Sequence, residues 1–145
     1  MTDRRPAERG STLLLFPAAV LVLMILSAIA IDLSTVHLAR RELLRTASQA
    51  ADDAAAMLDQ QAARAGNFTV IDAAAARRVV LFEMEVAKLP GKLVGSPDVT
   101  VDNTSGTVTV LVSMEVDRLF GKIAPGTSTT DRITVQVSGR LIDQG

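Results

Sequence analysis

An uninterrupted apolar segment near the N-terminus constrains the fold of this chain more than any other feature. Residues 13–31 contain no charged side chain, and Arg4, Arg5 and Arg9 precede them. As a helix the segment is about 28 Å long, at about 1.5 Å per residue, and the hydrocarbon core of a bilayer is roughly 30 Å thick. The sequence therefore predicts a membrane-spanning helix, with Pro17 near its start, where a missing N–H donor is tolerated.

A secretory signal peptide is the alternative interpretation of the same segment. Ser27, Ala28 and Ala30 provide small residues at a spacing that places cleavage after Ala30. The apolar segment is, however, longer than the roughly 7–15 residues usual for a signal peptide. The sequence also has no Gly or Pro between Pro17 and Gly66 to end a helix. We therefore favour a retained anchor and keep an exported soluble binding domain, released after Ala30, as the alternative.

The apolar pattern continues beyond the segment with the period of a helix. Apolar or small side chains recur at alternating steps of four and three residues, which is typical of a helix-packing seam. The seam consists of Ile29, Leu33, Val36, Leu43, Ala47, Ala50, Ala54 and Met57, with Arg40 as the interruption. We expect one unbroken helix over about residues 11–63. The alanines of residues 50–56 suit close contact either with another subunit or with the protein's own sheet.

The arginines on the two sides of the predicted span bear on its orientation. Arg40, Arg41 and Arg45 follow it, so that they equal in number the three arginines that precede it. Because the first group is closer to the apolar segment, we expect the N-terminus to be cytoplasmic. The expected organisation is a cytoplasmic tail, a transmembrane helix, an extracytoplasmic continuation of that helix and a small extracytoplasmic domain, over residues 1–12, 13–31, 32–63 and 64–145.

The remaining sequence predicts an α+β domain. Thr69 or Asp72 can cap a second, amphipathic helix over about residues 72–88, whose apolar stripe is Ala75, Val79, Phe82, Val86 and Leu89. Residues 89–97 are rich in Gly and Pro and are expected to form a loop. Residues 99–117 alternate in polarity around a turn at 103–106 and predict a β-hairpin, and a last strand carries Ile133, Val135, Val137 and Leu141 on one face. We expect a small antiparallel sheet of about three strands, covered by both helices.

The side-chain inventory argues against catalysis. The chain has no Cys, Tyr or Trp, a single histidine, His37, and a net charge of −1. These counts exclude a thiol nucleophile and a cysteine metal site, and they disfavour a nucleic-acid partner. The neighbouring acidic residues, Asp52 with Asp53 and Glu83 with Glu85, are interpreted as solvated helix surface. We predict no enzyme activity, no catalytic, metal or cofactor-binding residue, no cofactor and no small-molecule substrate.

Four features in order resemble the TadE/TadG-like proteins of Tad (Flp) pilus assembly. They are Arg9-Gly10-Ser11 before the span, Asp32 at its outer end, "LARREL" at 38–43 and "AADDAAAM" at 50–57. Residues 112–141 are also similar to the C-terminal part of that family. The resemblance implies a pilin-like, single-pass envelope protein of a bacterial or archaeal Tad apparatus. Its partners would be the lipid bilayer and other pilus or pilus-assembly subunits or copies of itself.

The same resemblance raises the question of proteolytic processing. Some family members are pseudopilins that a prepilin peptidase cuts after a glycine, with a glutamate at the fifth position of the mature chain. The corresponding bond here joins Gly10 and Ser11, but the fifth residue is then Leu15. This departure favours the unprocessed, TadG-like branch. Asp32 itself is expected to lie in the headgroup region, with a basic group of a neighbouring subunit as the alternative partner.

Overall fold

A long helix and a small antiparallel sheet dominate the computed structural model, which describes residues 11–120 and 129–141. Three helices come first, α1 over Ser11–Ala55, α2 over Gln60–Arg64 and α3 over Ala73–Val86. Four strands follow, β1 over Lys92–Leu93, β2 over Asp98–Asp102, β3 over Thr107–Asp117 and β4 over Thr130–Arg140. The α+β architecture predicted from the sequence is confirmed.

The sheet is built around β3. Strand β4 pairs antiparallel with β3 along its whole length, from Thr107 opposite Arg140 to Asp117 opposite Thr130. On the other side of β3, β2 and β1 lie end to end, both antiparallel to it. The sequence predicted about three strands and a loop over residues 89–97. The fourth strand, β1, forms because β3 extends past the end of β2 and leaves its backbone groups near Met114 free to pair.

The two longer helices cover one face of the sheet. Every second residue of β3 is buried, namely Val108, Val110, Val112, Met114 and Val116. Helix α1 meets this face with small side chains and one leucine, namely Ala39, Leu43, Ala47, Ala50, Ala51, Ala54 and Ala55. Helix α3 completes the core with Ala76, Val80 and Met84. The prediction that the second half of the long helix packs on the sheet is confirmed.

The long helix ends earlier than the sequence predicted, at Ala55 instead of about Ala63. Residues 57–59 instead run antiparallel to residues 70–72: the Asp59 N–H donates to the Val70 carbonyl at 2.8 Å, and the Asp72 N–H donates to the Met57 carbonyl at 2.7 Å. The Asp59 side chain then caps α2. These hydrogen bonds join residues too far apart to be linked by helical periodicity, and the Asp59 cap is a local signal that the predicted seam overlooked.

The second amphipathic helix begins as predicted but buries a different face. The Asp72 carboxylate accepts hydrogen bonds from the N–H groups of Ala74 and Ala75 and caps α3. The predicted stripe was one position out of phase, since Phe82 and Val86 are 64% and 59% exposed. Both faces of α3 carry apolar residues at helical spacing, and periodicity alone does not choose between them. Packing against α1 selects the face that carries Ala76, Val80 and Met84.

Candidate functional site

Helix α1 divides into an exposed half and a buried half. The described side chains before Asp32 are exposed with the exception of the half-buried Ala28, although most are large and apolar. From Ala39 onwards one face of the same helix lies in the core. The first half is long and apolar enough to cross a membrane, a property that it shares with signal sequences near an N-terminus. An apolar surface of this extent marks a site of interaction.

The predicted packing seam follows this division. Leu43, Ala47, Ala50 and Ala54 are completely buried in the chain's own core. Val36 and Met57 are half-buried against that core, whereas Ile29 and Leu33 are more than half exposed. Of the two interpretations of the alanine-rich stretch, the structure shows contact with the protein's own sheet. For the suggested cleavage bond, Ser11 is the first residue of α1 and Gly10 lies outside the described residues.

A glycine on β4 sets how closely α1 approaches the sheet. Gly139 faces the core, and a Cβ atom placed there would overlap the carbonyl group of Ala51 and lie 2.6 Å from the Asp52 nitrogen. Both are backbone atoms of α1, so a side chain at this position has no room. Gly139 could not be identified from the sequence, because an isolated glycine in a strand indicates a close backbone contact without identifying the partner.

Asp32 lies between the two halves of α1 and binds the segment that follows β3. Its carboxylate accepts a hydrogen bond from the Leu119 N–H at 3.0 Å and from the Phe120 N–H at 3.1 Å, both to Oδ1. These two donors follow the end of β3. From the sequence, Asp32 was expected to lie in the headgroup region or to pair with a basic group of a neighbouring subunit. Its partners within the chain are 87 and 88 residues away, and no sequence pattern links them.

An ion pair holds the same end of the sheet together. The Arg118 guanidinium donates from Nε to Oδ2 of Asp131 at 2.7 Å and from Nη2 to Oδ1 at 2.8 Å. The Asp131 carboxylate raises the pKa of Arg118, and the charge of Asp32 adds to this effect. Two parallel hydrogen bonds fix the orientation as well as the distance of such a pair. The pair therefore positions Leu119 and Phe120, the next residues, beside Asp32.

Phe120 lies against the exposed half of α1. Its side chain lines an open apolar groove together with Val20, Leu23, Met24, Ser27, Ala28 and Ile31. Ala28 is half-buried, in contrast to its neighbours on the same turn of the helix. Phe120 is still 37% exposed and Leu119 is 63% exposed. The end of β3 thus adds two large apolar side chains to the apolar surface of the helix.

Two acidic residues that are 30 positions apart in the sequence, Asp53 and Glu83, interact between α1 and α3. Asp53 of α1 and Glu83 of α3 are close enough to interact, and the pKa of Glu83 is raised, first by partial burial and then by the carboxylate of Asp53. From the sequence, only Asp52 with Asp53 and Glu83 with Glu85 were considered as pairs, and all four residues were interpreted as solvated helix surface. Across the described residues, groups of three His, Asp or Glu side chains that could hold a metal ion do not occur.

The Asp53–Glu83 contact predicts a pH dependence of stability. The folded state binds a proton at Glu83 more tightly than the unfolded state, in which the pKa is near 4.5. The contribution is therefore fully present below that value and is lost as the pH rises through the higher, folded-state pKa. The free energy of unfolding of a Glu83→Gln variant should fall less between about pH 4 and pH 7 than that of the wild type. Urea unfolding of the full chain in detergent measures this.

The matched control for this prediction is Glu85→Gln, because Glu85 is exposed on the same helix. It should keep the wild-type pH dependence. Identical pH profiles for the Glu83→Gln variant and the wild type would contradict the contact.

Comparisons with protein-family models, curated proteins and solved structures find no match to this chain. The geometry and the sequence pattern are therefore the basis of the functional proposal.

Proposed function

We propose that this chain is a membrane-anchored, pilin-like structural protein of a Tad (Flp) pilus assembly or secretion apparatus. It acts by helix and domain packing, without catalysis. The observation that carries the proposal is the continuity of α1, whose exposed apolar half runs without a break into the helix at the centre of the folded domain. The order of motifs that resembles the TadE/TadG-like family supports the same assignment.

This continuity gives the anchor a mechanical role. The 45 residues of α1 make a rod of about 68 Å at about 1.5 Å per residue, roughly twice the thickness of a hydrocarbon core. Because its second half is buried in the domain, movement of the anchor is passed directly to the sheet. The apolar half holds the subunit in the bilayer, with the N-terminus in the cytoplasm and the domain outside a bacterial or archaeal cell.

The surfaces left for partners lie on the outer faces of the domain. The outer face of the sheet carries hydroxyl pairs across β3 and β4, Thr109 with Ser138 at 3.1 Å and Ser113 with Thr134 at 2.8 Å. The outer face of α3 exposes Phe82 and Val86. In this proposal such faces meet other pilus or pilus-assembly subunits, or further copies of the chain.

A released soluble domain is the second candidate, and one observation favours it. Among the side chains that the structure describes, those buried in the core lie at or beyond Ala39. Cleavage after Ala30 would therefore shorten α1 but leave the core complete. The Asp32 contact with Leu119 and Phe120 would also survive. The long helix argues for an anchor, but the domain does not need the first 30 residues in order to pack.

The mature N-terminus and the effect on pili test the proposal together. In the native host, intact mass spectrometry should find a chain that begins at Met1, Thr2 or Ser11, in the membrane fraction and soluble only in detergent. Deleting the gene that encodes this chain should remove surface pili, and expression of the full-length protein should restore them. A variant with Leu23→Arg and Leu26→Arg should not restore them, since each arginine at mid-membrane costs about 2.5–3.5 kcal/mol of insertion.

The outcomes separate the two candidates. A chain that begins at Ile31 in the soluble fraction would establish the released domain and overturn the anchor. Normal pili in the deletion strain would overturn the pilus assignment while leaving the anchor intact. The variant with Leu23→Ala and Leu26→Ala is the matched control, because it shortens the same side chains without adding charge, and it should restore pili.

A further inference from the structure

The end of β3 lies beside the exposed half of α1, on the side of Asp32 that faces the N-terminus. Phe120 shares its groove with helix residues from Val20 to Ile31, all of which precede Asp32. Ala28, which is half-buried there, lies four residues before Asp32, or about 6 Å along the helix axis. If residues 13–31 span the bilayer, Phe120 therefore lies below the level at which the apolar segment ends.

This position creates a need for hydrogen-bond acceptors. Backbone N–H groups at the edge of a hydrocarbon core have few water molecules to bind, and an unsatisfied group there is strongly destabilising. The N–H groups of Leu119 and Phe120 both donate to the carboxylate of Asp32. The charge at this edge of the span therefore satisfies two donors that, in the orientation proposed above, would otherwise face lipid.

The side chains of the two residues fit the same environment. Leu119 and Phe120 are large and apolar and remain exposed in the folded chain. Apolar side chains of membrane-surface segments enter the boundary between headgroups and acyl chains by roughly 5–10 Å, which matches the depth inferred for Phe120. The Arg118–Asp131 ion pair joins the end of β3 to β4 next to these two residues.

We propose that Leu119 and Phe120 form a second membrane contact, entering the outer leaflet beside α1, and that Asp32 accepts the backbone N–H groups exposed by this insertion. The inference rests on the membrane anchoring proposed above. Its consequence is a domain attached at two points, with the Arg118 end of the sheet held against the lipid. Because α1 is packed against the sheet, a single anchor would leave the subunit free to tilt as a whole in the bilayer, whereas a second contact limits this tilt and fixes which face of the sheet points away from the membrane.

Single tryptophans provide the test, because the native chain has none. The full-length chain is reconstituted in phosphatidylcholine vesicles with and without brominated acyl chains, which quench tryptophan on contact. The Phe120→Trp variant should show blue-shifted emission and lose intensity in brominated lipid. The Leu111→Trp variant places the reporter on the outer face of the sheet, at an exposed apolar position, and its emission should be unchanged.

A third reporter separates this inference from the proposed anchor. The Leu23→Trp variant, in the exposed half of α1, should be quenched if the helix spans the bilayer. Quenching of Leu23→Trp without quenching of Phe120→Trp overturns the second contact and leaves the anchor standing. Absence of quenching in both overturns the anchor, and the second contact with it.

The role of Asp32 is tested in the Phe120→Trp background. Asp32→Leu removes the acceptor and should abolish quenching of the reporter at position 120. Asp32→Asn keeps an oxygen at the position of Oδ1, which accepts from both N–H groups, and should retain quenching. Equal quenching in the Asp32→Leu variant would overturn the assignment of Asp32 as the acceptor.

Discussion

Replacing Gly139 with valine should prevent α1 from packing on the sheet. The new Cβ atom would overlap the Ala51 carbonyl and lie 2.6 Å from the Asp52 nitrogen. Neither atom belongs to a side chain that can rotate away, so the whole helix must move from β4. Overpacking of a core typically costs about 1–3 kcal/mol, and a backbone clash lies at the upper end or beyond. Against a total stability of roughly 5–15 kcal/mol, such a loss is a large fraction of the free energy of unfolding at the lower end of that range.

Urea unfolding and protease resistance of the full chain in detergent measure the effect of Gly139→Val. Gly139→Ala should be destabilising in the same direction but by less, since it adds the Cβ atom alone. Gln136→Val is the matched control, because Gln136 is exposed on the same strand and a β-branched residue suits a strand. A Gly139→Val variant that unfolds at the wild-type urea concentration would show that α1 does not lie against this glycine.

The elements of this fold that local chemistry determines could be predicted from the sequence. Alternation along β3 identified its buried face, which lies opposite the 41% exposed Leu111. The start of α3 was also predictable, because an N-cap needs only the next three residues; of the two candidate caps, Thr69 and Asp72, the structure uses Asp72. The apolar first half of α1 was evident from composition alone.

The features that depend on distant partners could not be predicted. The end of α1 depends on hydrogen bonds between residues 57–59 and residues 70–72, and β1 depends on the free edge that β3 leaves beyond β2. The buried face of α3 depends on where α1 lies. In each case the sequence offered two locally acceptable states, and packing with a segment elsewhere in the chain selected one.

The candidate site shows the same limit more strongly. Asp32 was noticed as a charge at the end of an apolar segment, but its use depends on Leu119 and Phe120, which only the fold of β3 brings to it. Gly139 and the alanines of α1 likewise act together, because β4 and α1 approach closely only where both carry small residues. The sequence shows the small residues of each element but not that the two elements are in contact.

Ala54→Arg should unfold the domain while leaving the apolar half of α1 unchanged. Ala54 is completely buried, and the part of the chain that the structure describes buries no polar or charged side chain with it. An arginine there would be a buried charge without a partner, which costs roughly 3–5 kcal/mol. Protease resistance and cooperative urea unfolding should be lost, whereas the protein should stay in the membrane fraction because residues 13–31 are untouched.

Ala56→Arg is the matched control, since Ala56 is exposed two residues further on and should tolerate the same side chain. The comparison decides what the alanine-rich face does. If the face served contact with another subunit, Ala54→Arg would leave a protease-resistant domain and abolish assembly alone. Loss of the folded domain, with Ala56→Arg unaffected, would mean that the alanines join the anchor to its own sheet. Subunit contacts would then have to use other surfaces, such as the outer face of α3 around Phe82 and Val86.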